Sequence, residues 1–504
     1  RQRQMCIRDR LGAQRLSRYR FRHYLCQKYL YETLDPVERS YLHEDVGIVL
    51  EKLYDQQVQA IAPQLAHHFQ EAGITNKAIH YLHQAGEKAV ALSAYHEAVT
   101  HLKQGLALLM TLPESQERDE LELTLLLSLG KAVKGRPAKE WRKTLTRALE
   151  VCQKTGNTVE LCQIFGELAT VHYVRGELSM ARRRAEEALS AAQQTSDPSV
   201  VALAHWFLGF VLFSMGEYTS AREHLMEMIA FYDPQQHHEF YVLNRGSDPG
   251  VSAMAYEALC LWCLGYPDQA SQRSQEALVL ARELDHPFSE VDVICYAGCV
   301  FDAMRRYAVE LKNNADRLRQ ISLYYSFPGW SETALCYQGS ALFMLGQVEE
   351  SVARIREGLE GNRSTGVMCH MAGPLGILSE AQATLGQHKQ AKDTLEEGLA
   401  IIEKTDERHW VAELYRLKAV LLLMSGDEIE AEACLQRAID VARRQKAKSW
   451  ELRAATDLAR LWISRGKSEQ ARDLLAPIYD WFTEGFETPD LLAAKRLLEE
   501  ISQG

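Results

Sequence analysis

The chain has 504 residues, 46% of them hydrophobic and 25% charged, with a formal net charge of −11. That acidic balance argues against nucleic acid as the main partner, because phosphate binding needs a basic face. No apolar run approaches the ~18 residues of a membrane span, the basic start has no apolar signal core behind it, and the 11 cysteines show no disulfide-framework spacing, which suits a reducing cytoplasm.

Residues 1–16 are expected to be unstructured or artefactual. Their opening, RQRQMCIRDR, matches nothing that follows and reads as translated adapter sequence, so that the chain would be a fragment with its true N-terminal part missing. Residues 17–56 read as two helices. Phe21, Tyr24, Leu25 and Tyr29 keep helical spacing, and Asp35-Pro36 opens a second helix with proline in its first turn. Val37, Tyr41, Val46, Val49 and Leu50 continue the apolar stripe. Residues 57–110 hold the first repeat-like helices, with a turn at Gly73 and a restart at Ala78. The polar, proline-bearing stretch Thr111 to Glu120 reads as a minor joint.

From 111 to 480 one pattern recurs: an apolar run, a glycine turn, then a small residue that restarts a helix. The turns fall at Gly176, Gly216, Gly265, Gly346, Gly386, Gly426 and Gly466, the last three intervals being 40 residues each, with Arg305 filling the gap between Gly265 and Gly346. Seven residues before each turn a tight helix crossing demands a small side chain. The count gives Ser128 (before Gly135), Ala169, Gly209, Ala258, Gly298, Gly339, Ser379, Ala419 and Ala459. Five after the turn come Ala181, Ala221, Ala270, Ser351, Ala391, Ala431 and Ala471, with Glu140 and Glu310 as exceptions. This resembles the tetratricopeptide pattern, with helices longer than in the usual ~34-residue unit. The expected fold is all-α: a tetratricopeptide-like α-solenoid, a right-handed superhelix of helix pairs, preceded by a short winged-helix remnant.

One interval breaks the period. Gly216 to Gly265 spans 49 residues, and the excess lies in an insertion at 232–250 that holds Pro234, Gly246, Pro249 and Gly250 and cannot be one continuous helix. Such an insertion is either an indifferent surface loop or part of a binding face. Residues 481–504 read as a capping helix with a polar outer face.

The stretches DPQQHH, GSDPGV, LGYPDQASQRSQEAL, AELYRLKAVLLL and APIYDWFTEGFETPDLLAAKRLLEE resemble the C-terminal repeat region of bacterial multidomain signalling proteins. Those proteins carry a class III adenylate/guanylate cyclase or other output domain, then a STAND/AAA-type ATPase, then a tetratricopeptide array. Phe21, His23 and Leu25, with Tyr31, Leu34 and Leu42-His43 beyond, resemble the end of the winged-helix module that follows such an ATPase. The resemblance implies a cytoplasmic, non-catalytic sensor or scaffold whose partner is the upstream ATPase domain of the same polypeptide. It also leaves an alternative, in which the chain is part of a nucleotide-dependent enzyme and His23 contacts nucleotide held by that upstream domain. The other reading of His23 is a half-buried histidine of an amphipathic helix. No G-x-x-x-x-G-K-[ST] loop and no cyclase-like aspartate pair occurs, so any ATPase or cyclase domain would lie upstream.

Cys260, Cys263, Cys295 and Cys299 form C-x2-C and C-x3-C pairs about one period apart. Zinc pairs normally sit on turns, whereas cysteine inside a helix serves as a small hydrophobe, so no metal or cofactor is expected. Counting 13, 10, 6, 3 and 2 residues back from each turn picks the side chains facing the concave side. Trp206, Phe210, Phe213, Trp262, Asp292, Asp302, Phe343, Glu413 and Arg416 are the candidate binding residues. Either they form an apolar groove for a protein, a peptide or a small effector, or the aromatics are inter-repeat core. No nucleic acid and no membrane is expected among the partners.

Overall fold

The computed structural model describes residues 7–11, 14–18, 24–134 and 138–503. The chain divides into two compact units, residues 1–132 and 133–504. In the first, β1 (Ile7–Leu11) pairs antiparallel with β2 (Gln14–Arg18), Ile7 opposite Arg18. A two-stranded ribbon therefore stands where an unstructured start was expected. The helices α1 (Tyr24–Thr33), α2 (Pro36–Tyr54), α3 (Ala62–Glu71), α4 (Thr75–Ala91), α5 (Tyr95–Leu109) and α6 (Gln116–Ala132) follow. Asp35 caps α2 by accepting from the amides of Val37 and Glu38, while Glu38 reaches back to the Asp35 amide, a reciprocal capping box. Leu65, Phe69, Ala78 and Leu82 form the core of this unit. Of the stripe read from sequence, Tyr24, Leu25, Tyr29, Val37, Tyr41, Val46 and Val49 are exposed, Leu50 is half-buried against the core, and Phe21 lies outside the described residues. His23 lies outside the described residues.

The second unit is a run of helix pairs: α7 (Ala138–Thr155), α8 (Thr158–Val174) with α9 (Leu178–Ala192), and α10 (Pro198–Ser214) with α11 (Tyr218–Phe231). The insertion forms a helix of its own, α12 (Pro234–Arg245), before α13 (Pro249–Leu264) and α14 (Pro267–Glu283). Next comes one long first helix, α15 (Pro287–Val293) running through a π-helical turn (Ile294–Val300) into α16 (Phe301–Arg305), paired with α17 (Ala308–Tyr324). The pairs α18 (Pro328–Met344) and α19 (Val348–Thr365), α20 (Ala372–Thr384) and α21 (His388–Thr405), and α22 (Val411–Met424) and α23 (Glu428–Arg444) follow. The last are α24 (Lys448–Ser464), α25 (Ser468–Tyr479) and the capping helix α26 (Pro489–Gln503).

Each pair turns by the same device. Gly216 has φ +79; its amide donates to Phe213 O at 2.9 Å and the Glu217 amide to Leu212 O at 2.9 Å. This is the two-bond helix stop that needs a left-handed residue, and it recurs at Gly176, Gly265, Gly346, Gly386, Gly426 and Gly466. Between Gly265 and Gly346 the left-handed residue is Arg306 (φ +60), not Arg305, which is the last helical residue of α16. The nine small crossing positions are all buried. At Gly339 an added Cβ would lie 2.5 Å from Ile355 Cγ1 and 2.9 Å from the Ile355 backbone nitrogen, so the second helix passes too close for a side chain.

The coil also closes on itself. The Met368 amide donates to Val174 O at 2.8 Å and the Arg408 amide to Ser214 O at 2.7 Å. Ser449 Oγ donates to Trp262 O at 2.5 Å, and Arg453 to Met304 O at 2.7 Å. The acceptors are the last carbonyls of α8, α10, α13 and α16, and the first three donors sit at the starts of α20, α22 and α24. Each of those three lies five helix pairs further along. One turn of the coil therefore contains five pairs, and the next turn seats on its inner ends.

Gly339→Ala should lower the denaturation midpoint by the equivalent of ~1–3 kcal/mol, the usual cost of overpacking. Gly346→Ala meets no atom within 4 Å and should cost only the left-handed backbone strain, about 1 kcal/mol. Urea melts followed by circular dichroism compare the two.

Candidate functional site

Inside the first turn of the second unit lies a cavity of about 110 Å³. Its wall comes from successive first helices: Tyr173 on α8, Trp206 and Phe210 on α10, Tyr256 on α13, Asp292 and Tyr296 on the α15–α16 helix, and Trp330 on α18. Lys134 and Trp141 close one side, and Val367 to His370, the segment seated on the end of α8, close another. The aromatic rings run in a near-continuous chain, tilted against one another except for the edge-to-face pair Tyr296–Trp330. Trp206 lies 4.9 Å from Phe210, Phe210 5.8 Å from Tyr256, Tyr256 4.3 Å from Tyr296, and Tyr296 6.3 Å from Trp330, centroid to centroid. The π-helical turn adds a residue to one helical turn and so re-aims Tyr296 relative to Asp292, as such bulges commonly do at sites.

The charged part of the wall is built by the insertion. Arg245 ends α12, Gly246 takes the left-handed cap (φ +71), and Ser247 follows. Asp248 anchors this corner. It caps α13 through the amides of Gly250 and Val251, accepts from Tyr232 Oη at 2.5 Å, and its other contact is His238 Nδ1 at 2.7 Å. Lys134 Nζ donates to Glu167 at 3.1 Å, to Arg245 O at 3.0 Å and to Ser247 Oγ at 3.3 Å. Arg245 donates to Ser247 Oγ at 2.6 Å, lies 3.1 Å from Glu167, and rests 4.3 Å above the Trp206 ring. Two cations thus share one carboxylate. Burial, with Arg245 beside it, pulls the Lys134 ammonium down to about 8 despite Glu167. Across the cavity, burial pushes the Asp292 carboxyl up to about 6, against the donated hydrogen bond of Ser252 and the charges of Arg245 and Lys134. The indole nitrogens of Trp141 and Trp206 have no hydrogen-bond partner, although both side chains are buried. Such donors are costly to leave unpaired, and a ligand acceptor in the cavity would satisfy them.

Of the residues read from sequence, Trp206, Phe210 and Asp292 meet in this cavity. Phe213 turns away into the core, against Tyr218, Tyr256 and His409. Trp262 packs edge-on to Trp450 at 4.7 Å, under the seating of α24 on α13. Asp302 is held by Arg305 at 2.5 Å and Asn314 at 2.9 Å, and Phe343 is half-buried among the side chains around Ile355. Glu413 and Arg416 form a buried two-point ion pair, 2.8 Å at each contact, with Arg453 and Arg306 also on Glu413. These cations hold the Glu413 carboxyl well below its usual range despite burial. The aromatic groove expected from sequence is a partly covered cavity, because the second turn of the coil lies over one side of it. Cys260, Cys263, Cys295 and Cys299 are buried, and burial pushes each thiol upward, as for packing residues.

Lys134, Trp141, Arg245, Tyr256, Tyr296, Trp330 and His370 were not singled out in advance. Tyr173 had a usable signal, since counting three residues back from Gly176 lands on it. Arg245 and Ser247 sit in the insertion that breaks the period.

Two stretches, residues 370–444 and 452–477, match models of the tetratricopeptide repeat. An uncharacterized protein of Rhizobium meliloti (strain 1021) is 22% identical over 456 residues, which is 89% of this chain but 44% of that protein. The chain thus spans less than half the length of this relative. Among solved structures, the APC/C hetero-tetramer Cut9–Hcn1 is similar at 13% identity and a TM-score of 0.50, covering 95% of this chain and 92% of that one. A signal-transduction ATPase with a tetratricopeptide-repeat sensor from Pyrococcus horikoshii is 12% identical with a TM-score of 0.41, covering 93% and 75%. The fold is a tetratricopeptide-like α-solenoid. Among the described residues, no helix is long and apolar enough to cross a membrane.

Asp292 has a folded-state pKa above its unfolded one, so the folded state holds the extra proton and the carboxylate weakens the fold increasingly as pH rises from about 4 to about 6. Asp292→Asn should therefore be more stable than the parent above pH 6, by no more than about 3 kcal/mol, with the gain fading below pH 4. Thermal melts of both proteins across that range check it.

Proposed function

We propose that this chain is the sensing region of a bacterial cytoplasmic signalling protein, taking a small aromatic acid into its axial cavity and passing that event to an upstream domain of the same polypeptide. The carrying observation is the cavity itself: an aromatic chamber with Lys134 and Arg245 on one wall and two unpaired indole N–H groups. Its volume suits about one ring, since apolar cavities of ~150 Å³ take up benzene. Tyr173, Tyr256 and Tyr296 offer flat faces, and the cations and indoles suit a carboxylate. Because the chamber is walled by five successive repeats and capped by the next turn, a ligand there would bridge two turns of the coil. Binding would then change how firmly the coil is closed.

The larger context rests on three supports. The resemblance in the stretches around Gly246–Val251 and Ala412–Leu423 points to repeat regions that follow a STAND-type ATPase. The Rhizobium meliloti relative is more than twice as long as the matched region. The apolar stripe on α1 and α2 stands exposed, a surface suited to a neighbouring domain.

Benzoate, titrated into the full chain and followed by tryptophan fluorescence, should bind saturably, with benzyl alcohol binding far more weakly. Affinity should fall from pH 6 to pH 9, because Asp292 is increasingly protonated and Lys134 more fully charged toward the low end. Arg245→Met should weaken benzoate about tenfold or more, the scale of a lost charge-assisted contact. Equal binding of the acid and the alcohol would sink the anion assignment, and no saturable binding of either would sink the sensor reading.

A further inference from the structure

A second cluster adjoins the cavity and shares His370 with its wall. His370, Glu407 and His409 are 4%, 1% and 0% exposed, and their ligand-capable atoms all lie within 4.8 Å of one another. His370 Nδ1 is 3.8 Å and His409 Nδ1 3.7 Å from Glu407 Oε1. Four polar atoms here have no hydrogen-bond partner: His370 Nδ1, Glu407 Oε2 and both ring nitrogens of His409. Buried polar atoms are almost always paired, so unpaired atoms on all three of these neighbouring side chains call for a partner.

The surroundings hold the three side chains in place from behind. Tyr173 and Tyr296 hydroxyls lie 2.5 and 3.0 Å from His370 Nε2, which leaves Nδ1 facing Glu407. The His370 amide donates to Glu407 Oε1 at 2.9 Å, and the Phe213 ring backs His409 at 5.2 Å. His370, with hydroxyl oxygens on Nε2 and Nδ1 turned to the Glu407 carboxylate, is arranged as metal-ligating histidines usually are.

We propose that His370, Glu407 and His409 bind one divalent transition-metal ion of the zinc type, through His370 Nδ1, a Glu407 carboxylate oxygen and one ring nitrogen of His409. Two imidazoles and a carboxylate match zinc rather than calcium or magnesium, which take oxygen ligands. Tetrahedral ligands at zinc distances sit about 3.4 Å apart, so the observed 3.7 and 3.8 Å need only a small closure. Burial keeps both imidazoles neutral, the form that coordinates metal. The ligands ride on the two segments whose Met368 and Arg408 amides seat on α8 and α10. The ion therefore ties these two segments to each other, and Tyr173 and Tyr296, on His370, link that joint to the turn beneath.

The full chain, stripped with EDTA and dialysed against Zn²⁺, should retain about one ion per chain by elemental analysis and melt at a higher temperature than the stripped protein. Glu407→Gln, checked for native helicity, should fall to near zero zinc, and Tyr173→Phe should weaken it ~10–100-fold. Cobalt substituted into the parent chain gives a readout that needs no variant. Tetrahedral visible bands without thiolate charge transfer support the site, whereas a thiolate band places the metal on cysteines and overturns it. A parent chain that takes up no zinc, or a folded E407Q chain that binds it undiminished, also overturns it.

Discussion

The second unit depends on one constraint: the last carbonyls of its first helices have to find donors, and the donors come from four or five pairs further on. A helix end leaves carbonyls without intrahelical partners, and the glycine turn satisfies only some of them. Val174, Ser214, Trp262 and Met304 keep an acceptor free, and Met368, Arg408, Ser449 and Arg453 fill it. Each such acceptor left buried and unpaired would cost about 1–3 kcal/mol. Meeting that demand draws the coil tight enough for its second turn to cover the first. What would be an open channel becomes a partly covered room.

The room has the properties that closure imposes. Water is largely excluded, so every charge in its wall needs a neighbour, and the wall supplies them sparingly: Glu167 between Lys134 and Arg245, Ser252 on Asp292. The same exclusion moves Lys134 down and Asp292 up, leaving both responsive near neutral pH. Arg245 sits over the Trp206 ring, a contact that holds the guanidinium without consuming its donors. The insertion that breaks the repeat is what brings Arg245 and Ser247 to this wall. An uninterrupted 40-residue period would leave no chain to place them there.

The turns and crossings were legible because they are local. A left-handed residue at a fixed distance from a small one is a property of one helix pair, and Gly176, Gly209, Gly216 and Gly339 announce it in their own neighbourhood. Arg306 was misread by one position because an arginine in a left-handed turn carries no glycine signal. The candidate site was legible in part. Trp206, Phe210 and Asp292 were found by counting back from turns, since one face of one helix is periodic. Phe213 and Trp262 answered to the same count, yet the covering turn made them core, against His409 and Trp450 respectively.

By itself the sequence determined the helix-pair solenoid, its period, its small crossing residues and the place where the period breaks, all consequences of backbone stops and close packing between neighbours. Only the tertiary structure decided that the next turn covers part of the inner face, that Lys134 meets Arg245 across 111 residues, and that His370 meets Glu407 across 37. Those meetings depend on the pitch of the coil. Pitch is the sum of many small rotations between repeats, and no single motif along the chain records it.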